Sequence, residues 1–407
     1  MADESFDRDT ASRAAELLLA AATPRLDADA MRRANAAMSH EGGIEWETFI
    51  PLARQHGVVS LLYRHLSAGA LDISKVPDSA AAELRRVTGD IARRCLLLTG
   101  ELVRLLDEFD RHGIRVVSLK GPILGQQVYG SIALRRFNDL DLLVATDDVG
   151  RASELLLRLG YANLKSESSD GLDAIRRDPS HHHSFLAATK THRVELHYYL
   201  TRPVAGRRLT LASIEAGLER LPFHTTSVWM LRPEDLLVYL CLHGTEHLWE
   251  RIEWVGAVAE LARGDRIADW NRVATVARVF SADRAVTAGL QLVHDLFGVP
   301  VSSLWMGGDA DARAAARSLA ARFIADPSRS PSATERLAYH VRTEAGAASR
   351  RARLWSTLFV PTTADIDAIP LPRALWALYY VLRPARLTLR WFKGLERSVR
   401  RRAPPGS

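Results

Sequence analysis

Two stretches decide the fold: Ile114-Arg115-Val116-Val117-Ser118-Leu119-Lys120-Gly121-Pro122 and, after a basic loop, Asp139-Leu140-Asp141-Leu142-Leu143-Val144. The first is a β-branched run of strand length that follows a helix stop at His112-Gly113, and Pro122 sits where a first helical turn begins. The reading is strand, turn, short helix to Tyr129-Gly130, loop, strand. In the second stretch Asp139 and Asp141 are two residues apart, so on a strand both carboxylates project from one face. Leu140, Leu142 and Val144 make the other face apolar. Two like charges on one face of a buried strand are costly, and a divalent cation relieves that conflict. Mg²⁺ suits oxygen ligands and keeps positions for water or phosphate. Glu195, in Val194-Glu195-Leu196, repeats the apolar-acid-apolar pattern on a later strand and offers a third carboxylate. His197, two residues on, shares its face and is a candidate substrate contact or a support for a metal ligand. In Leu119-Lys120-Gly121-Pro122 the glycine lets backbone approach a ligand, and the helix N-terminus that follows favours a phosphate.

Working outward, apolar residues recur at helical spacing from Ala11 to Asp110, with breaks near Pro24, Gly42-Gly43 and Pro77. Beyond the aspartates an amphipathic helix runs through Ala152-Leu155-Leu156-Leu159 to Gly160, and the polar stretch Lys165 to Ser180 reads as a loop. His183–Thr189 and Arg193–Tyr199, joined by Lys190-Thr191-His192, read as an antiparallel hairpin, so the sheet is mixed. Helical spacing returns at Pro233 and persists to the C-terminus. The expected fold is α/β (α+β), a small mixed sheet flanked by N- and C-terminal helical regions. Its expected divisions are a helical region over 1–110, a catalytic-type core over 111–230, a helical domain over 231–345 and a basic helical tail over 346–407.

The chain has 407 residues, 47% hydrophobic and 25% charged, which is an ordinary globular composition and excludes a wholly disordered protein. Cys95 and Cys241 are too few for a disulfide framework. The acidic first residues carry neither a secretory nor a transit signal, no stretch reaches the length of a spanning helix, and cytoplasmic residence is the expectation. A net charge of +6 permits an anionic substrate or partner.

Taken together, the Leu-Lys-Gly turn, the arginine-containing loop and Asp-x-Asp-Leu-Leu-Val resemble the DNA polymerase β-like nucleotidyltransferase superfamily, in a poorly characterised branch. The likeness runs over roughly residues 95 to 265. In that superfamily a Gly-Ser turn holds the nucleotide phosphates, an Asp-x-Asp/Glu pair binds two magnesium ions, and a third acid on a later strand serves the attacking side. The resemblance implies that Gly121 is the turn glycine, that Asp139 and Asp141 are catalytic metal ligands, and that Glu195 is the third acid. Lys120-Gly121 stands where Gly-Ser is usual, which makes Lys120 a candidate phosphate cation. Arg135 and Arg136 precede the first aspartate in the loop that would face the triphosphate, where a guanidinium can grip phosphate oxygens in pairs.

His243-Gly-Thr-Glu246-His247 matches the His-x-x-Glu-His pattern of inverted zinc peptidases. In the resembled branch the same stretch looks like the helix after the catalytic sheet, which would bring His243, His247 or Arg251 near the substrate cleft and makes His243 and His247 candidate substrate-binding residues. His181-His182-His183 alternates between strand faces and reads as incidental metal affinity. From Arg373 to Arg402 basic residues interleave with Trp376, Tyr379, Tyr380, Trp391 and Phe392, a pattern that reads first as docking on the protein's own body, next as peripheral contact with an anionic membrane, and after those as contact with RNA.

The expected activity is Mg²⁺- or Mn²⁺-dependent transfer of a nucleoside monophosphate from an NTP, ATP foremost, to an acceptor hydroxyl, with release of pyrophosphate. Nucleic acid ranks behind a small metabolite or a protein side chain as acceptor, because no RNA-binding module is recognisable. The alternatives are a non-catalytic scaffold of the nucleotide-binding fold at a membrane surface and a zinc hydrolase centred on His243 and His247.

Overall fold

The computed structural model describes residues 8–40, 43–164, 181–202, 208–302, 305, 307–344, 346–361, 365 and 368–388. The Lys165–Ser180 stretch read as a loop and the end of the basic tail from 389 lie outside the described residues.

The chain opens with four helices, α1 (Arg8–Ala20), α2 (Ala28–Ser39), α3 (Trp46–Gln55) and α4 (Val59–Ser67), followed by the long α5 (Asp78–Arg111). Pro77 precedes α5, and Cys95, Leu98, Leu102, Leu105, Leu106 and Phe109 bury one of its faces. That spacing of three and four residues is the stripe the sequence displays. The sheet then forms from β1 (Val117–Ser118), β2 (Asp139–Leu143), β3 (Tyr161–Asn163), β4 (His182–Ala187), β5 (Arg193–His197), β6 (Leu218–Phe223) and β7 (Thr226–Leu231). Their spatial order is β3-β4-β5-β2-β1-β7-β6. The β2–β5 and β1–β7 pairs are parallel and the other four are antiparallel, so the sheet is mixed. Helix α6 (Gly121–Tyr129) bridges β1 to β2, α7 (Val149–Arg158) bridges β2 to β3, and the single turn α8 (Leu211–Ile214) precedes β6.

After the sheet come α9 (Pro233–Glu246), α10 (Ile252–Ala262), α11 (Trp270–Val279), α12 (Asp283–Phe297), α13 (Ala310–Ala325), α14 (Ala333–Thr343) and α15 (Gly346–Phe359). Helix α13 packs on both α12 and the N-terminal α1, which draws the two helical regions into one layer. The sheet separates two apolar cores. One holds Leu140, Leu142, Val144, Phe185, Val194 and Leu196 against α5 and α7. The other joins Val117, Leu119, Leu124 and Leu143 to the helical layer of α1 through α4 and α9 through α13. Strand β2 therefore lies between two covered faces, and its two aspartates point to the side occupied by α9.

The α/β fold with helical flanks is the expected one, and the differences lie in individual strands. Strand β1 is two residues long because Ile114 and Val116 already pack in the core before the ladder begins. The hairpin of β6 and β7 was absent from the sequence reading; β6 is an edge strand and carries Pro222, which edge positions tolerate. No described helix is long and apolar enough to cross a membrane.

Candidate functional site

Register builds the site. Asp141 on β2 lies directly across from Glu195 on β5, and His197 on β5 lies directly across from His182 on β4. Period-two geometry then puts Asp139, Asp141, Glu195, His197 and His182 on one sheet face. Asp141 and His197 are buried, at 6% and 3% exposure. His197 Nε2 is 3.1 Å from Asp141 Oδ1 and 3.5 Å from Glu195 Oε2, so one imidazole edge bridges the two acids. Asp141, Glu195 and His197 form a group whose ligand-type atoms lie within 4.8 Å of one another.

The turn between β1 and α6 closes the site from the neighbouring strand. Leu119 N–H donates to the Asp141 carbonyl at 3.1 Å, which fixes the turn against β2. Gly121 follows at φ +60°, in the region that favours glycine, and Lys120 precedes it as the N-cap of α6. The Lys120 ammonium is 3.9 Å from Asp141 Oδ1 and donates to His243 Nδ1 at 3.2 Å, while the Tyr239 ring centre lies 5.5 Å away. Helix α9 thus supplies a wall of Tyr239 and His243. His247 lies beside His243 with ring centres 4.6 Å apart and planes tilted by 55°, and both rings contact Trp254 of α10.

These neighbours drive the carboxylates apart. Burial, together with the charges of Asp141 and Glu195, pushes Asp139 up to about 6. Burial pushes Asp141 the same way, but the Lys120 ammonium and the His197 hydrogen bond outweigh it and hold Asp141 well below the usual carboxylate range. Burial opposes charge on His197, yet its hydrogen bonds to Asp141 and Glu195 raise it. His243 goes the other way, driven far down by burial and by Lys120, and so accepts from the ammonium as a neutral ring. Asp141 and Glu195, with Asp139 on the same strand face but outside that close group, offer the oxygen ligands that a hard divalent cation takes. Lys120 offsets the charge of Asp141 and leaves Asp139 to be satisfied.

The two loop arginines part company. Arg135 is buried, 7% exposed, with its guanidinium 3.5 Å from Glu253 of α10, which also pairs with Arg251 at 3.2 Å. Arg136 is half-buried, and burial together with Arg251, Arg54 and Arg94 lowers its proton affinity, which marks a concentration of positive charge at this edge. Arg94 of α5 ties the loop down, reaching Asn138 Oδ1 at 3.2 Å and the Thr191 carbonyl at 3.0 Å. The zinc-peptidase reading of α9 meets a different arrangement. Glu246 is engaged by Arg353 at 2.9 Å and His243 faces a lysine ammonium. Among the described residues His243 and His247 join no group of three ligand-type atoms.

Sequence reasoning missed Tyr239, Glu253 and Arg94, which belong to distant helices and carry no local pattern; Arg251, expected near the cleft, pairs with Glu253 at 3.2 Å. His182 was visible only as one of three histidines; the β4–β5 register turns it toward His197, whereas His183 faces the opposite side beside Tyr198.

Residues 42–298 match the family model described as "Uncharacterised nucleotidyltransferase". No curated protein and no solved structure matches the chain.

Proposed function

The chain belongs to this uncharacterised nucleotidyltransferase family, and on that footing we propose that it transfers a nucleoside monophosphate from an NTP, ATP foremost, to an acceptor hydroxyl with Mg²⁺ or Mn²⁺. The observation that carries the reading is the placement of Asp139, Asp141 and Glu195 on one face of paired strands, beside the Lys120-Gly121 turn.

Asp139, Asp141 and Glu195 would hold a divalent ion, which would supply positive charge to the in-line displacement. The residues do the rest. Lys120 and the N-terminus of α6 meet the triphosphate, with Arg136 at the loop edge; Arg135, engaged by Glu253, holds the loop in place. The acceptor oxygen attacks the α-phosphorus, the bond to the β-phosphate bridging oxygen breaks, and pyrophosphate leaves. Glu195 takes the hydroxyl proton, and His197 holds both Glu195 and Asp141 in position. His243, kept neutral, accepts from the Lys120 ammonium and so points it, while His247 and Trp254 brace that ring. Tyr239 closes the site from α9.

A small metabolite or a protein side chain ranks ahead of RNA as the acceptor, because no RNA-binding module is recognisable in the sequence. The C-terminal segment adds a second contact: Leu375, Trp376, Leu378, Tyr380 and Val381 are exposed, and aromatic and aliphatic side chains beside a basic run favour an anionic membrane surface. The test is incubation with each NTP labelled at the α-phosphate, with Mg²⁺ or Mn²⁺ and candidate acceptors. Label on an acceptor supports the reading, and NTP binding without transfer would favour a non-catalytic scaffold at a membrane.

A further inference from the structure

Next to the carboxylates, toward the outer strands of the sheet, stands a group with different chemistry. His181, His182 and His197 place ligand-type nitrogens within 4.8 Å of one another. Their rings are close on every side, with centres 4.7 Å apart for His181 and His182, 5.2 Å for His181 and His197, and 5.0 Å for His182 and His197. The arrangement follows from the fold: His182 pairs with His197 across the β4–β5 ladder, and His181 immediately precedes β4, its carbonyl accepting from the Tyr198 N–H at 3.1 Å. Glu195 borders the group, its Oε2 lying 3.7 Å from His182 Nε2 and 3.5 Å from His197 Nε2.

Two nitrogens here lack any hydrogen-bond partner although buried, Nδ1 of His181 and Nδ1 of His197. His197 donates from Nε2 to Asp141, so in the neutral ring that a metal ion requires its Nδ1 carries the free lone pair. A buried lone pair without a donor is costly, and three imidazoles gathered beside a carboxylate have a natural use. Imidazole nitrogen suits zinc, copper and nickel ions, whereas Mg²⁺ takes oxygen.

We propose that His181, His182 and His197, with Glu195 at the border, form a second cation site that takes a borderline divalent transition ion of the Zn²⁺ type and is distinct from the oxygen site at Asp139 and Asp141. The two sites meet at His197 and Glu195. An ion on His197 Nδ1 leaves the Nε2 hydrogen bond to Asp141 in place, and the two sites are coupled through that ring and through Glu195. The binding itself does not depend on nucleotide transfer and is read with metal alone, which keeps its failure separate from failure of the transfer reading.

The experiment uses the full chain, free of any histidine tag and stripped with EDTA, titrated with Co²⁺ and followed by the visible absorption of the bound ion. One equivalent of Co²⁺ should bind, be displaced by Zn²⁺ and persist in excess Mg²⁺. His181→Ala and His182→Ala should each weaken binding by more than the roughly tenfold that losing a supporting hydrogen bond costs. Asp139→Asn and His294→Ala should leave it unchanged. Circular dichroism of each variant checks folding, and His181→Ala, which precedes the strand, carries the test if His182→Ala fails to fold. Absence of Co²⁺ binding, displacement by Mg²⁺, or loss with Asp139→Asn but not with His181→Ala would overturn the proposal.

Discussion

Lys120→Met removes a buried cation while keeping most of the side-chain volume. The Lys120 ammonium stands 3.9 Å from Asp141 Oδ1, and at an effective dielectric of ~20 two unit charges at that distance attract by about 4 kcal/mol. Removing one partner of a buried ion pair costs about 3–5 kcal/mol, chiefly because the other charge stays buried. His197 still donates to Asp141 in the variant, which favours the low end, about 3 kcal/mol. For a chain of this length that corresponds to a fall of about 3–4 °C in Tm. The assay is thermal unfolding in EDTA, repeated with Mg²⁺. Mg²⁺ should restore more stability to Lys120→Met than to wild type, because the ammonium no longer occupies the neighbourhood of Asp141. Calorimetric titration with each NTP should show binding weakened ten- to hundredfold, the worth of one charged hydrogen bond at about 1.5–3 kcal/mol. Wild-type stability in EDTA together with wild-type NTP affinity would refute the role given to Lys120.

Asp139→Asn should act in the opposite sense on stability: with the folded carboxyl at about 6 against an unfolded value near 3.8, ionisation of Asp139 in EDTA costs stability progressively as pH rises between those values. The variant should therefore match wild type near pH 4 and exceed it by about 2–3 kcal/mol at pH 7.5, measured by denaturant titration, while losing transfer activity; a pH-independent difference would contradict the argument. Gly121→Ala places a Cβ at φ +60° with its nearest contact, the Asp139 carbonyl, at 3.7 Å, so conformation rather than space sets a cost of about 1–2 kcal/mol. Its Tm should fall, and its KM for NTP should rise as the turn carrying Lys120 shifts. Trp376→Ser combined with Val381→Ser should weaken co-sedimentation of the full chain with anionic vesicles at low salt and leave pyrophosphate release unchanged; equal sedimentation would reject the membrane contact.

The half of the site carried on β2 was legible because period-two alternation is local. Asp139 and Asp141 flanked by Leu140, Leu142 and Val144 can be read without a partner strand, and so can Glu195 between Val194 and Leu196. Gly121 was legible as a turn because a strand run and a proline bracket it. The pairing of Lys120 with His243 was not, since 123 residues separate them and only the docking of α9 on the sheet joins them. The division of labour between Arg135 and Arg136 escaped for a related reason: neighbouring residues in a loop have no period, and the buried Glu253 that takes Arg135 lies on a later helix. Strands β3 and β6 were missed because three residues carry no alternation and a proline-bearing edge strand resembles a turn.

If the acids of β2 carry a metal-dependent nucleotidyl transfer, losing one of them should abolish turnover. Pyrophosphate release from NTP, followed continuously for wild type and Asp141→Asn across a Mg²⁺ titration, tests it most directly. Asp141 is the most deeply held of the three acids, and the account predicts Mg²⁺-dependent release by wild type that Asp141→Asn abolishes at every metal concentration while remaining folded. Release by Asp141→Asn at the wild-type rate, or release that EDTA leaves untouched, would contradict it.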